Sequence, residues 1–230
     1  MTLSAGANLA QIASLVGDPG RANMLAAMAG GRPLAASELA EIAGVAAATA
    51  SGHLAKLAQG GLVVVEAQGR RRLFRLATPQ VAHMLESLMV VAAAGERPLR
   101  ATPRTPGHLR EARTCYDHLA GRLGVALADS LSAMGAISLG SQGAEVLPDG
   151  PAILARLQLE AAVVPGARRP LCRACLDWSE RRYHLGGTLG QTLLQRLLHL
   201  GWIEPGPRPR EILVSEAGRR GLEESFALEL

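Results

Sequence analysis

Aromatic side chains are scarce in this chain of 230 residues, which holds two each of Phe, Tyr and Trp. Base stacking on aromatic platforms, and with it single-stranded nucleic acid as a target, is thereby set aside. Three cysteines in a chain of this length do not make a disulfide framework. Lysine is nearly missing: Lys56 is the one lysine among 24 basic residues, which with the abundance of alanine reflects coding composition more than function. No apolar run approaches the roughly 18 residues of a membrane span, and the N-terminus carries neither a basic leader nor a hydrophobic stretch. The expectation is a soluble, cytoplasmic protein without membrane contact. Chemistry of the common enzyme kinds is missing too. Gly186-Gly187 and Gly190 around Thr188 lack the preceding strand and following lysine of a phosphate loop. No serine sits in a nucleophile elbow. The chain is therefore not expected to be an enzyme. The remote exception is a dithiol oxidoreductase, although the βαβ surroundings of a thioredoxin-type motif are lacking.

What is present is an ordered set of elements between Ala36 and Leu76. Ser37 is a candidate N-cap, and Leu39, Ile42 and Ala43 line one face of the short helix it opens. Gly44 ends that helix in a sharp turn. A second helix, 46–59, buries Ala47, Ala50, Leu54 and Leu57 at helical spacing. Its other face carries Thr49, Ser51, Gly52, His53 and Lys56, small or polar groups able to reach base edges and phosphates. After Gly60-Gly61 an apolar run, 62–65, and a return strand, 71–76, flank a turn at Gln68-Gly69. Arg70, Arg71, Arg72 and Arg75 come with the return strand. A two-stranded ribbon with arginines at its tip suits a phosphate backbone, and the net charge of +4 permits such a partner.

These residues carry a resemblance to the ArsR-type family of winged-helix repressors. It rests on Glu38-Leu39-Ala40 and Gly44-Val45, on 49–57 (Thr-Ala-Ser-Gly-His-Leu-Ala-Lys-Leu), and on Gly61-Leu62-Val63, Gly69-Arg70 and Leu73-Phe74-Arg75-Leu76. A first helix over 8–16 and Gly17-Asp18-Pro19-Gly20-Arg21 fit as well. The resemblance implies a homodimer that sits on double-stranded operator DNA until an effector releases it. It also implies that the apolar helix 79–94 makes the dimer contact through Val81, Leu85, Leu88 and Val91 or Val90. The family's metal sites are not matched. The helix 37–45 has no cysteine, and on the dimer helix only His83 and Glu86 could contribute, a spacing that reads as a surface pair.

Prolines at 98, 103 and 106 mark 95–107 as a linker. Domain boundaries are accordingly set at 1–94, a winged helix-turn-helix for DNA binding and dimerisation, and 108–230, a regulatory domain. Within the second, Leu109, Ala112, Tyr116, Leu119, Leu123, Leu127 and Leu131 predict one long amphipathic helix. Leu57, Gly61 and Val63 share their spacing with Leu131, Gly135 and Ile137, and with Leu197, Gly201 and Ile203. Strand candidates follow at 73–76, 145–147 and 211–214, and 189–226 reads as a helix–wing–helix unit. The fold class expected is mainly α with small β-hairpins: a winged helix-turn-helix, then a second winged-helix-like α/β module.

All three cysteines lie beyond the linker. Cys172 and Cys175 have the spacing of a metal knuckle or a redox pair. Cys115 is a third sulfur, with His118 the best fourth donor and His184 the next. Pro170 suits the first turn of a helix, which would place Cys172 near its N-terminus with Arg168, Arg169 and Arg173 close by, lowering its pKa. This segment and 115–121 resemble a C-terminal extension carried by a subset of the same family. Three uses stay open: a zinc or other thiophilic metal or metalloid effector, which is favoured, a thiol redox switch, and plain packing.

Overall fold

The computed structural model describes residues 4–69, 71–94, 107–159 and 169–229. By its internal contacts the chain falls into two compact units, residues 1–85 and 86–230. The expected linker lies outside the described residues except for Gly107, as do Arg70 and Arg168.

The first unit opens with α1 (Ser4–Val16) and α2 (Pro19–Met28). Asp18 starts α2: its backbone is extended and its carboxylate accepts from the Arg21 N–H at 2.9 Å, with Pro19 pre-set for the first turn. The Arg21 side chain donates to Leu15 and Ser14 carbonyls, tying the end of α1 to α2. A short strand, β1 (Leu34–Ala35), leads into α3 (Ala36–Ala43). The cap here is not Ser37, which falls inside the first turn. Ala35 takes that place, and the Glu38 carboxylate reaches back to its N–H. Gly44 stops the helix in a left-handed conformation at φ 65°. Next come α4 (Ala47–Gln59), β2 (Val63–Gln68), β3 (Arg71–Leu76) and α5 (Pro79–Ala94), and α5 runs on into the second unit. The ladder from Val63↔Leu76 to Gln68↔Arg71 forms the wing, and β1 pairs on the other side of β3. This is a winged helix-turn-helix. Met24, Leu25, Met28, Leu39, Leu54 and Leu57 fill its core, whereas Ala47, expected to be buried, is exposed.

In the second unit the predicted long helix is overturned. Residues 107–133 form α6 (Gly107–Glu111), a hairpin of β4 (Arg113–Cys115) and β5 (His118–Ala120), and α7 (Gly121–Ala133). A two-residue turn reverses the chain, with Tyr116 at φ 60°, and Gly121 at φ 77° starts α7. Leu119, which fits a helical stripe, is buried from a strand instead. Beyond α7 lie the hairpin β6 (Ile137–Gly140) with β7 (Gly143–Val146), and α8 (Gly150–Arg156). The order then recurs: the hairpin β8 (Arg173–Leu176) with β9 (Tyr183–Gly186), α9 (Gly187–His199), the hairpin β10 (Ile203–Pro205) with β11 (Ile212–Val214), and α10 (Glu216–Phe226). Cys172 therefore precedes a strand, and no helix begins at Pro170.

The spacing noted at Leu57, Leu131 and Leu197 marks one recurring exit. Helices α4, α7 and α9 each have 13 residues, and each ends in a glycine of positive φ: Gly61, Gly135 and Gly201. The next residue's N–H then returns to the leucine carbonyl, as Leu62→Leu57, Ala136→Leu131 and Trp202→Leu197, all near 3 Å. One core joins the two halves of the second unit through Leu123, Leu127, Leu131, Leu189, Leu193 and Leu197.

Candidate functional site

In the first unit the face of α4 expected to meet DNA exposes Thr49, Ser51, Gly52 and Lys56. Two of its residues are partly committed elsewhere. The Ser51 hydroxyl donates back to the Ala47 carbonyl, and the half-buried His53 ring lies 3.7 Å from the Asp18 carboxylate. On the wing Arg71 and Arg72 are exposed, while Arg75 pairs across the ladder with Glu66. Of the wing arginines among the described residues, Arg71 and Arg72 are thus the exposed ones. On α5, Leu88 and Val91 are 46% and 70% exposed, whereas Leu85 is buried. Glu86 is no surface group: it is buried and ion-paired with Arg210.

The second unit gathers four of the five candidate sulfur and imidazole donors. Cys115 and His118 are cross-strand partners in the β4–β5 hairpin, and Cys175 and His184 are cross-strand partners in the β8–β9 hairpin. All four side chains are buried, and one donor atom from each lies within 4.8 Å of the others. The two Sγ atoms are 3.9 Å apart and the two Nε2 atoms 3.2 Å apart, with the rings stacked at a centroid distance of 5.0 Å. Cys172, expected to pair with Cys175, sits instead in the main apolar core, and burial pushes its thiol up to about 11. That is the opposite of the lowered value expected, because Cys172 does not lie in the first turn of a helix and its burial disfavours the thiolate.

Behind each histidine stands an aspartate that sequence reasoning passed over. The His118 Nδ1 faces Asp117 at 3.3 Å, and the His184 Nδ1 faces Asp177 at 3.7 Å. Each aspartate is held by an arginine. Arg169 grips Asp117 with both terminal nitrogens, at 2.5 and 2.9 Å. Arg113, fully buried and 4.5 Å over the Trp178 ring, donates to Asp177 at 2.9 Å. Asp177 also accepts from the backbone N–H groups of Gly121, Ser179 and Glu180. Burial opposes the charge on both carboxylates. The His118 ring and Arg169 hold Asp117 down to about 2, and Arg113 with the Gly121 N–H keeps Asp177 low. Between the sulfurs, the contact that Cys115 and Cys175 share raises the pKa of the first well above the thiol range and lowers that of the second. Burial disfavours charge on His118, but Asp117 and Cys175 outweigh it and raise its pKa.

The pairing is an internal duplication. His118 and His184 are 66 residues apart, and so are the glycines that follow them, in His-Leu-x-Gly-x-Leu-Gly at 118–124 and again at 184–190. That motif was the signal available in the sequence. It could have placed His184 beside His118 without any structure. The spacing is structural as well as chemical, since a Cβ on Gly124 or Gly190 would fall 2.6 or 2.2 Å from the Leu119 or Leu185 carbonyl oxygen.

Comparison with known proteins bears on both units. A helix-turn-helix domain model matches residues 16–66. An uncharacterized HTH-type transcriptional regulator of Bacillus subtilis (strain 168), YdfF, is 37% identical over 223 residues, which is 97% of this chain and 99% of the relative. Among solved structures, the homodimeric winged helix-turn-helix DNA-binding domain Mb0332 of Mycobacterium bovis, a possible ArsR-family regulator, is similar. Its identity is 25% and its TM-score 0.38, over 44% of this chain and 92% of that one. The cadmium sensor CMTR of Mycobacterium tuberculosis has 27% identity and a TM-score of 0.32, over 42% of this chain and 99% of that one. No helix among the described residues is long and apolar enough to cross a membrane.

Proposed function

Because the chain belongs to the helix-turn-helix-type transcriptional regulators, we propose that it acts in the cytoplasm as an ArsR-type homodimeric repressor whose effector is sensed in the second unit. The reading of DNA falls to α4, through Thr49 and Lys56, with Arg71 and Arg72 on phosphates. Self-association falls to α5, where Leu88 and Val91, three residues apart and so on one side of the helix, are both exposed and offer an apolar pair that a second copy of α5 would cover. The effector favoured is a metal or metalloid ion. The observation carrying this is the meeting of Cys115, His118, Cys175 and His184 in one buried cluster.

The route from site to dimer helix runs through Arg210. Its Nε donates to the Thr114 carbonyl, next to Cys115, at 2.9 Å, and its guanidinium pairs with Glu86 on α5. A ligand that shifts the β4–β5 hairpin therefore pulls on a buried ion pair of α5. Small shifts of a dimer helix move two reading helices out of groove register. A preference of about 1–3 kcal/mol for one arrangement suffices to change occupancy 5- to 150-fold.

A second reading is favoured by the 3.9 Å between the Cys115 and Cys175 sulfurs. Hydrogen peroxide would take two electrons from the sulfur pair and two protons from the site and solvent, leaving a disulfide and two waters. The test is affinity for an operator selected by the protein from random duplexes, with zinc, arsenite or peroxide, in wild type and Cys115→Ser. Ion sensing requires weaker DNA binding with the ion under reducing conditions, lost in the variant. A response to peroxide alone, reversed by dithiothreitol, selects the second reading. A selected operator bound equally under every condition sinks both.

A further inference from the structure

We infer that Cys115, His118, Cys175 and His184 form a four-coordinate centre for a zinc-class divalent ion, with Asp117 and Asp177 as positioning residues and Cys172 outside it. The inference rests on the effector reading above and fixes its ion class.

Three observations carry it. First, the cluster has the dimensions of the ion. Zinc bonds of about 2.3 Å to sulfur and about 2.05 Å to nitrogen give tetrahedral edges of roughly 3.8 Å for S···S and 3.3 Å for N···N. The protein holds these edges at 3.9 and 3.2 Å, and no remaining edge exceeds 4.8 Å. The pairs within each class, which bridge the two hairpins, are pre-set; the thiol–imidazole edges shorten on binding, which brings the sulfur pair toward the imidazole pair.

Second, the hydrogen-bond pattern is incomplete without a cation. When each Nδ1–H points at its aspartate, both Nε2 atoms turn lone pairs toward one another across 3.2 Å. Only a proton or a metal ion between them relieves that contact. With the proton there, the His184 Nδ1 has no hydrogen-bond partner, being 3.7 Å from Asp177. An ion bound by both Nε2 atoms fixes both tautomers and draws Nδ1–H toward carboxylate on each side, the arrangement that metal-bound imidazoles adopt. On binding, two protons leave to solvent, so that the ion meets two thiolates and two neutral imidazoles.

Third, the donor set discriminates. Two thiolates with two imidazoles suit zinc-class ions of borderline softness, while hard cations call for oxygen donors. Arsenite, which bonds to thiolates, would gain nothing from the two histidines or from the aspartates that hold them.

The test uses full-length protein, reduced and stripped by a chelator, titrated with cobalt(II) as the spectroscopic probe. One ion per chain is expected, with the intense visible bands of tetrahedral cobalt and thiolate-to-cobalt charge transfer, both displaced by zinc. Cys175→Ser and His118→Gln each lose that spectrum while keeping the far-ultraviolet circular dichroism of the fold. Asp117→Asn retains the spectrum with about 10–100-fold weaker affinity. Cys172→Ser behaves as wild type. Weak octahedral bands, loss of the spectrum in Cys172→Ser, or an undiminished spectrum in His118→Gln each overturns the centre. So does tight arsenite capture that survives His118→Gln and blocks cobalt, since that is a dithiol metalloid site. Operator affinity on the same preparations separates the two readings. A tetrahedral spectrum with unaltered DNA binding refutes sensing and leaves the centre; a zinc response in DNA binding without that spectrum refutes the centre and leaves sensing.

Discussion

Arg113 is the most exacting place to test how the second unit is built. Its guanidinium is fully buried, and it donates to Asp177, the Leu109 carbonyl and the Ser179 hydroxyl, at 2.8 to 3.0 Å. Arg113→Met keeps the stem and removes the charge, leaving the Asp177 carboxylate buried without its cation. Breaking such a pair on one side costs about 3–5 kcal/mol. Asp177 retains donors from Gly121, Ser179 and Glu180, which places its loss near the lower end. The contact with Trp178 adds about 1 kcal/mol. The expected loss is therefore about 3–4 kcal/mol.

The assay is urea unfolding of chelator-treated protein, followed by Trp fluorescence, since Trp178 and Trp202 both lie in this unit. With a slope of about 2 kcal/mol/M, the midpoint falls by roughly 1.5–2 M. Asp177→Asn in the same background removes the stranded charge, so the double variant is more stable than additivity allows, by about 2 kcal/mol. Added salt leaves the loss nearly unchanged, because screening acts weakly on buried pairs. A loss under about 1 kcal/mol, or additive behaviour in the double variant, refutes the reasoning.

Three further outcomes are expected. Arg71→Ala with Arg72→Ala weakens binding to all duplexes alike and reduces the slope of log affinity against log salt by about 2, read by fluorescence anisotropy; Thr49→Ala changes preference between sequences and leaves that slope alone. Asp18→Ala costs α2 about 1 kcal/mol through its lost cap, seen as faster amide exchange. The Arg21 N–H lowers the Asp18 pKa in the folded protein, so its contribution is present above the unfolded value of about 3.9 and disappears as pH falls through the folded value; the variant and wild type converge in acid. Cys172, with its thiol pushed up to about 11, is alkylated by iodoacetamide about a hundredfold more slowly in the folded protein than in denaturant, by mass spectrometry of the Cys172 peptide. Equal rates would place it outside the core.

The difference between what the sequence reveals in the two units has a physical origin. In the first, helices of 8 to 16 residues show their periodicity, and Gly44 and Gly61 end them at positive φ, so local pattern and fold agree. The same glycine exit made the repeat visible at Gly135 and Gly201. The centre is harder to see because its strands have three or four residues, too few to express a period of two. Around Cys115 the apolar spacing of Leu109, Ala112, Tyr116 and Leu119 imitates a helix, and only packing against the other half of the unit selects a hairpin. Proximity in sequence misled in the same way: Cys172 and Cys175 are three residues apart yet lie in different environments, while Cys115 and Cys175, 60 residues apart, nearly touch. What joins them is the duplication. Once two hairpins of one motif pack against each other, the Cys and His of each copy meet those of the other, and a half-site of two donors becomes a site of four. A site made this way needs both copies, so Gly190→Ala, whose Cβ would strike the Leu185 carbonyl at 2.2 Å, is expected to weaken cobalt binding although it changes no donor. Cobalt bound by this variant as tightly as by wild type would mean that the two hairpins are positioned independently.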